Sequence, residues 1–451
     1  MFETESRFEL DELFFSKTNF KGTIESGNDV FVRVSEYDKQ EIINRPHNII
    51  RHPHTPRAVF KVFWNFLKEK KPIVAYVKNK SKSGRYYWVL AMAFPMEDGY
   101  LSIRLKPTSA LFSQVQKIYD RVGYQESVSS DLDQSVELLS QSLEELGFSS
   151  YDAFMRVALI EEMISRDRHL TRLETADSKQ SKVINRAAID NFIDLINGCT
   201  TVTRRAFEKT QALSGKMESL VENSEAISRA CSMVKFITVN LTLSSSRLGN
   251  VGRALGVVSI NLETLTKEIA QSTAEFENAF RAYSNSIRDM YFSIATSRFQ
   301  IDMMKHLADE VIRESKEHGD FTAQHEEFLL SNCKLLQILV VDSFTNVSDI
   351  TRQLYDTNQF LLSSIRNLRK IIVGMNILHV MGKIELGRVT DNTNSISARL
   401  QEMEELTETF KKNLRSLENE CSEGTILCKE ILDEVSFVQN DIHHIGATTS
   451  L

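Results

Sequence analysis

The stretch IVAYVKNKSKSGRYYWVLAMAFPMEDGYLSIRL, residues 73–105, decides the fold of the first part of the chain. The turn sequences Lys82-Ser83-Gly84-Arg85 and Glu97-Asp98-Gly99 contain the glycine and polar residues that tight hairpin turns require. The apolar segments around them predict three strands: Ile73–Lys78, Tyr86–Phe94 and Tyr100–Leu105. Residues 73–105 therefore predict an antiparallel sheet made of two consecutive hairpins.

The residues before this sheet predict shorter elements that pack against it. Val59–Lys70 has helical periodicity and places Phe60 and Trp64 one turn apart. Asp29–Val34 alternates between apolar and polar residues, which favours a strand. Short helices packed on an antiparallel sheet make an α+β domain.

Proline and charge divide the chain at the end of this domain. All six prolines lie between Pro46 and Pro107, and both tryptophans, Trp64 and Trp88, lie in the same region. Because an interior proline costs a helix about 3 kcal/mol, the proline-free residues 108–451 favour long helices. The first 108 residues carry a net charge of +5 and the remainder carries −12. We therefore expect an α+β domain followed by a long all-α antiparallel coiled coil or four-helix bundle.

Heptad-like apolar spacing from about Ser178 is interrupted three times, at 247–253, 317–321 and 387–391. Three turns imply four antiparallel helices, arranged as two hairpins. The expected domains are a sensor domain at 1–108, a helical connector at 109–175, a first hairpin at 176–320 with its tip near 247–253, and a second hairpin at 321–451 with its tip near 385–391.

Composition excludes several classes of protein. The acidic first residues differ from a signal peptide and no apolar run has the length of a membrane span, so we expect a cytoplasmic chain. A net charge of −7 opposes nucleic-acid binding. The five cysteines lack the spacing of a zinc site or a disulfide framework. With no nucleophile and base pairing and no phosphate-binding glycine loop, we expect that the chain is not an enzyme.

About 80 residues of the first domain resemble the PAS sensor domain of bacterial aerotaxis receptors. The motifs that carry the resemblance are, in order, NDVFVRVSEYDKQEI, PHNIIRHPHTP, VFKVFW, VKNKSKSGRYYWV and YLSIRLKP, beginning at Asn28, Pro46, Val59, Val77 and Tyr100. The resemblance implies a cytoplasmic sensor that holds FAD noncovalently and reports redox state. It places six residues on the cofactor-pocket pattern of the family: Asn28, Arg51, His52, Phe60, Trp64 and Asn79.

The residues themselves leave alternatives to flavin open. Phe60 and Trp64 can enclose a planar ring or simply form the core face of a helix. Two positions depart from the family pattern, because His54 replaces an aspartate and Ile73 replaces a tryptophan. His47, His52 and His54 allow haem or a metal, and a pocket without a cofactor is the third alternative.

The first hairpin turn resembles the signalling tip of methyl-accepting chemotaxis receptors, in degenerate form, over VNLTLSSSRLGNVGRALGVVSINLETLTKEI, residues 239–269. The second turn, at 381–388, is similar, and Arg388 follows Arg247 by 141 residues, which indicates an internal repeat. The family's tip binds the chemotaxis histidine kinase and its coupling adaptor, and neighbouring chemoreceptors. The residues assigned to partner binding by this resemblance are Arg247, Gly249, Gly252, Arg253, Leu255, Val258, Glu385 and Arg388.

In that family two chains each contribute one hairpin to a dimeric four-helix bundle. This chain contains two hairpins, so we expect either an intrachain pseudo-dimer with both tips at one end or a homo-oligomer. The preferred function is a PAS-containing, chemoreceptor-like signal transducer that senses redox state, oxygen or a small ligand. The alternative is a non-catalytic scaffold with a ligand-free PAS domain and no coupling to the kinase, in which the glycines of the tip only turn an antiparallel coiled coil.

Overall fold

The computed structural model describes residues 4–174, 187–247, 253–318, 322–388 and 394–448. The chain forms two compact units. The first contains residues 1–204, 292–344 and 437–451, and the second contains residues 205–291 and 345–436.

The first unit contains a five-stranded antiparallel sheet. Its strands are β1 (Phe14–Asn19), β2 (Ile24–Gly27), β3 (Ile73–Lys80), β4 (Tyr86–Pro95) and β5 (Gly99–Leu105). The spatial order is β2-β1-β5-β4-β3, so the two predicted hairpins form one side of the sheet and β1 pairs with the last strand. The predicted α+β fold with an antiparallel sheet is confirmed. β1 and β2 were not predicted from the sequence.

Short helices connect the strands: α1 (Asp29–Ser35), α2 (Lys39–Ile42), a 3-10 turn (His47–Ile50) and α3 (Arg57–Lys68). The prediction of a strand at Asp29–Val34 is wrong, because these residues form α1. Asn28 causes the difference, since its Oδ1 accepts a hydrogen bond from the Phe31 N–H and caps the helix. The apolar residues of the segment then face the core from a helix: Val30, Phe31 and Val34.

Three helices of the connector pack with the sheet in the same unit: α4 (Ala110–Val128), α5 (Leu132–Glu145) and α6 (Tyr151–Glu174). Glu162 of α6 is buried and holds this packing together. Its carboxylate accepts hydrogen bonds from the Tyr76 hydroxyl (2.9 Å) and from the Ser109 N–H (3.0 Å) at the start of α4. Tyr119 of α4 donates to the backbone oxygen of Tyr76 at 2.9 Å. The connector is therefore anchored to β3.

Gly99 allows β5 to lie close to β1. A Cβ atom at Gly99 would lie 2.0 Å from the Thr18 backbone oxygen, which is far inside contact distance. We expect Gly99→Ala to lower the free energy of unfolding by about 1–3 kcal/mol, because the strand pair must separate. Urea unfolding followed by tryptophan fluorescence measures the change, since Trp64 and Trp88 both lie in this domain.

The matched control is Gly123→Ala in α4, where an added Cβ meets nothing within 4 Å. Alanine favours a helix over glycine, so this variant should be neutral or more stable by up to about 1 kcal/mol. Equal stabilities of the two variants would contradict the close approach at Gly99.

Long helices make up the rest of the chain: α7 (Ala187–Gly215), α8 (Met217–Arg247), α9 (Arg253–His318), α10 (Ala323–Leu386) and α11 (Asn394–Thr448). The predicted all-α region is confirmed. Helices end and begin on both sides of each predicted interruption, although residues 248–252, 319–321 and 389–393 lie outside the described ones. One further break, at Lys216, follows Ser214 and Gly215, which are weaker helix formers than alanine.

The two hairpins share a core in the second unit. Its buried residues come from α8 through α11: Ile237, Leu241, Leu255, Val258, Leu262, Leu386, Ile396, Leu400 and Met403. A Cβ atom at Gly382 of α10 would lie 3.1 Å from Leu400 and 3.6 Å from Val258, so helices of both hairpins approach closely there. The hairpins therefore contact each other within one chain, as expected for an intrachain pseudo-dimer.

Among the described helices, one, Gln324–Leu386, is long and apolar enough to cross a membrane by length and composition. Core helices of bundles pass the same test. The expectation of no membrane span stays a prediction.

Candidate functional site

A cavity of about 290 Å³ lies between the sheet and α3. This volume is close to the lower limit of small-molecule sites, about 300 Å³. One wall is aromatic and the other polar. The aromatic residues are Phe60, Phe63, Trp64 and Tyr100, and the main polar residues are His47, Asn48, Arg51, Asn79, Ser102 and Arg104.

The aromatic wall is built by α3 and β5. Trp64 packs edge-on against Tyr100, with ring centroids 5.4 Å apart and an angle of 69° between the planes. On the same helix, Phe60 lies under the Arg51 guanidinium, whose Cζ is 4.3 Å from the ring centroid. Such stacking fixes the orientation of both side chains. The wall offers apolar ring surface to a ligand.

Arg104 supplies a buried positive charge to the polar wall. Its side chain is 4% exposed, and Nη2 donates to the Ser16 Oγ at 2.9 Å. The same Nη2 lies 2.7 Å from the His47 Nε2, and burial together with the Arg104 cation lowers the pKa of His47 to about 3. His47 is therefore neutral at pH 7, and its Nε2 accepts the hydrogen bond. Burial also lowers the pKa of Arg104, to about 10, so the arginine remains charged.

Three polar atoms at this wall are buried and have no hydrogen-bond partner: Asn79 Nδ2, Ser102 Oγ and Arg104 Nη1. Two of them are nitrogen donors, and the hydroxyl can also donate. Leaving a buried donor unsatisfied costs about 1–3 kcal/mol, and more when the donor is charged. The cavity is thus chemically prepared for a ligand that carries hydrogen-bond acceptors.

The structure brings four of the six predicted pocket residues together, because Arg51, Phe60, Trp64 and Asn79 all line the cavity. His52 does not line it. Its backbone N–H donates to the Lys78 oxygen at 3.3 Å, and its Nδ1 accepts from the His54 backbone N–H at 3.1 Å. His52 therefore organises the loop before α3.

Asn28 also lies away from the cavity lining, since it caps α1 and joins the sheet domain to α9. Its Nδ2 donates to the Glu310 Oε2 at 3.0 Å, and the neighbouring Asp29 N–H donates to Oε1 at 2.7 Å. Burial raises the pKa of Glu310 to about 7, with smaller contributions from the charges of Asp29 and Glu314.

This shift in the Glu310 pKa predicts a pH-dependent stability. Between pH 4.5 and 7 the folded state binds more protons at Glu310 than the unfolded state, so its contribution to stability falls as pH rises. His306, whose Nε2 is 4.0 Å from the carboxylate, has the opposite trend because burial lowers its pKa to about 4. The difference between wild type and Glu310→Gln isolates the carboxylate.

We expect this difference in unfolding free energy to change by about 3 kcal/mol between pH 4.5 and 7, with wild type losing stability relative to the variant as pH rises. Urea unfolding at several pH values, followed by tryptophan fluorescence, checks it. Asp309→Asn, an exposed neighbour on the same helix whose own pKa is also raised, is the control and should give a smaller change of the same sign. A difference independent of pH would contradict a buried, titrating Glu310.

The two departures from the family pattern lie outside the cavity lining. His54 is exposed and its ring packs edge-on against His52 at 4.9 Å. Ile73 is buried at the start of β3. Sequence reasoning missed Ser102 and Arg104, although Tyr100, Ser102 and Arg104 alternate along one face of β5. A charged residue within that otherwise apolar strand was the available signal.

The predicted tip residues have mixed positions. Leu255 and Val258 lie in the shared core, since inward-facing positions of a bundle are buried first. Arg253 is exposed, and Glu385 forms an ion pair with Arg388 at 2.8 Å. Gly249 and Gly252, and the side chain of Arg247, lie outside the described residues.

Apolar side chains are exposed close to the tips, in pairs that repeat after 141 residues. The pairs are Phe236 with Ile377, Val239 with Val380, and Leu243 with Ile384. Buried residues repeat with the same spacing, as in Leu255 with Ile396 and Leu262 with Met403. The burial pattern thus agrees with the internal repeat, and both hairpins present an apolar strip on the surface.

Comparison with known proteins assigns the first domain. Residues 24–102 match the PAS fold family. The aerotaxis receptor of Escherichia coli (strain K12) is 40% identical over 114 residues, which are 24% of this chain and 22% of the receptor. The match therefore spans about a fifth of this curated relative.

Solved structures cover the same part of the chain. A PAS domain from Colwellia psychrerythraea is 20% identical and covers 21% of this chain and 86% of its own, with a TM-score of 0.20. A light-oxygen-voltage domain studied with a flavin analogue is 17% identical and covers 23% of this chain and 83% of its own, with a TM-score of 0.21. TM-scores this low do not support an assignment. The PAS domain is assigned from the match to the PAS fold family and from the identity with the aerotaxis receptor. Residues 24–102 form a PAS domain similar to that of an aerotaxis receptor, joined in this chain to a long helical region.

Proposed function

We propose that this chain is a cytoplasmic, non-catalytic signal transducer whose PAS pocket holds FAD and whose helical tips contact chemotaxis-type signalling proteins. The observation that carries the proposal is the polar wall of the cavity. It offers unpartnered donors at Asn79, Ser102 and Arg104 opposite the aromatic surface of Phe60 and Trp64.

These residues fit the isoalloxazine ring of a flavin. This planar ring can pack against the aromatic wall, and the carbonyl and ring-nitrogen acceptors along one of its edges can accept hydrogen bonds from the polar wall. Asn79 can donate to that edge. When bound, the flavin would supply reversible electron transfer. The buried positive charge of Arg104 at the cavity would favour a reduced, anionic ring.

The cavity adjoins a wider opening that shares Asn48 and Arg51 with it. Arg57 and Lys80 lie at this opening together with the acidic Asp120 and Glu126. Arg57 pairs with Glu126 at 3.6 Å, so Lys80 is the residue we assign to the phosphates of a dinucleotide. Haem fits less well, because His52 does not line the cavity and the Nε2 of His47 accepts from Arg104. The geometry therefore favours FAD over haem.

The apolar strips near the tips support a role in protein contacts. Exposed apolar groups of this kind mark interaction surfaces when they are contiguous. Together with the similarity of the PAS domain to an aerotaxis receptor, they favour the chemotaxis histidine kinase, its coupling adaptor or other chemoreceptors as partners over a scaffold without such partners.

Co-purification of the full chain with the coupling adaptor tests this proposal. We expect the wild-type chain to retain the adaptor, and the double variant Phe236→Ser, Ile377→Ser to lose most of it. Phe360→Ser, which changes an exposed phenylalanine elsewhere on α10, is the matched control and should retain it. Absence of the adaptor from the wild-type preparation would favour the scaffold.

A further inference from the structure

A continuous series of contacts leads from the PAS pocket to α9. At the pocket, the His47 ring that accepts from Arg104 also stacks on Phe31, with centroids 6.0 Å apart and planes 21° apart. The Arg104 Cζ lies 5.7 Å from the centroid of the same Phe31 ring. A displacement of either pocket residue therefore acts directly on Phe31.

Phe31 is fixed to the start of α1. It lies in the first turn, and its N–H donates to the Asn28 cap at 3.3 Å. Its ring also packs on the backbone of Gly27, where a Cβ atom would lie 2.5 Å from the Phe31 Cδ1. Ring, cap and backbone are packed too closely to move independently.

Glu310 of α9 lies at the other end of this series of contacts. Its carboxylate is buried and bonds both to the Asn28 side chain and to the Asp29 backbone N–H, which is one of the free donors of the helix start. Asn28 thus contacts β1, α1 and α9 at once, since its Oδ1 also accepts from the Phe15 N–H at 2.9 Å. Within this series of contacts, Glu310 is the one residue that belongs to α9.

We propose that Glu310 couples the PAS pocket to α9: a ligand that changes the position of Arg104 moves Phe31 and the start of α1, and thereby alters the hydrogen bonds that hold Glu310. This inference rests on the proposed function, because it gives the transducer its internal route. Coupling of this kind is reciprocal, so a change at Glu310 also changes the pocket.

Hydrogen–deuterium exchange on the full chain tests the route without any flavin or chemotaxis partner. Arg104→Lys changes the pocket only. We expect exchange to become at least about threefold faster in two peptides, one at the start of α1 and one around Glu310. In the Glu310→Met background, which removes both acceptor oxygens, the same pocket substitution should still affect α1 but no longer affect α9. In the Asp309→Asn background, which keeps the contact, both peptides should respond.

His47→Phe provides a second pocket variant if Arg104→Lys does not fold, because it keeps a stacked ring and removes the acceptor. A pocket variant that leaves the α9 peptide unchanged would overturn the proposal, and so would an equal response of α9 in the Glu310→Met background. A protein that binds no FAD would overturn the proposed cofactor while leaving the exchange result intact, so the two failures are distinguishable.

Discussion

Arg104→Met should weaken FAD binding by about 10- to 150-fold, with a modest loss of stability in the ligand-free protein. Arg104 lines the cavity and its Nη1 has no hydrogen-bond partner, and a hydrogen bond from a charged donor contributes about 1.5–3 kcal/mol. At 1.4 kcal/mol per factor of ten, its loss gives that range. Without ligand, the substitution removes a buried cation that has no described carboxylate partner, but it also leaves the Ser16 Oγ and the His47 Nε2 without their donor, so we expect a net loss of about 1–3 kcal/mol in the free energy of unfolding.

Titration of FAD by fluorescence and urea unfolding of the same preparation measure the two effects. Arg45→Met, the same substitution at an exposed residue outside the cavity lining, should change neither. Loss of stability without loss of affinity would assign Arg104 to the core and remove it from the site.

Leu262→Ala should lower the stability of the helical bundle by about 2–5 kcal/mol. Leu262 is fully buried in the core that both hairpins share, and truncation leaves a cavity that long packed helices refill poorly. Circular dichroism at 222 nm during urea unfolding measures the loss. Ile260→Ala on the same helix is the control, because Ile260 is 61% exposed and its loss should cost less than about 0.5 kcal/mol.

The same experiment tests whether one chain forms the bundle alone. A bundle whose four helices come from one chain unfolds at a midpoint independent of protein concentration, whereas a dimeric bundle becomes more stable as concentration rises. A concentration-dependent midpoint would contradict the intrachain pseudo-dimer, and equal effects of Leu262→Ala and Ile260→Ala would contradict the shared core.

Much of this architecture is readable from the sequence, because it depends on local patterns. Apolar segments between glycine-containing turns predicted β3, β4 and β5, and the proline-free, heptad-like region predicted the long helices. The strand prediction for Asp29–Val34 was wrong because the capping signal of Asn28, which starts a helix there, outweighs the alternation of apolar residues. β1 and β2 are short, and the pairing of β1 with β5, a strand about 80 residues later, has no local signature.

The candidate site was also only partly predictable from the sequence. Arg51, Phe60, Trp64 and Asn79 lie at the cavity as their motif implied, while Arg104 was overlooked in an apolar strand. The contact between Asn28 and Glu310 joins residues 282 positions apart. Neither residue is unusual in its own segment, so only the tertiary structure shows the contact.

The visible absorption spectrum of the purified, unsupplemented protein tests the central claim most directly, which is that the PAS pocket holds a flavin. The account predicts flavin bands close to one per chain, and release of FAD after denaturation. A Soret band would show haem instead, and a colourless protein that also fails to bind added FAD would contradict the claim.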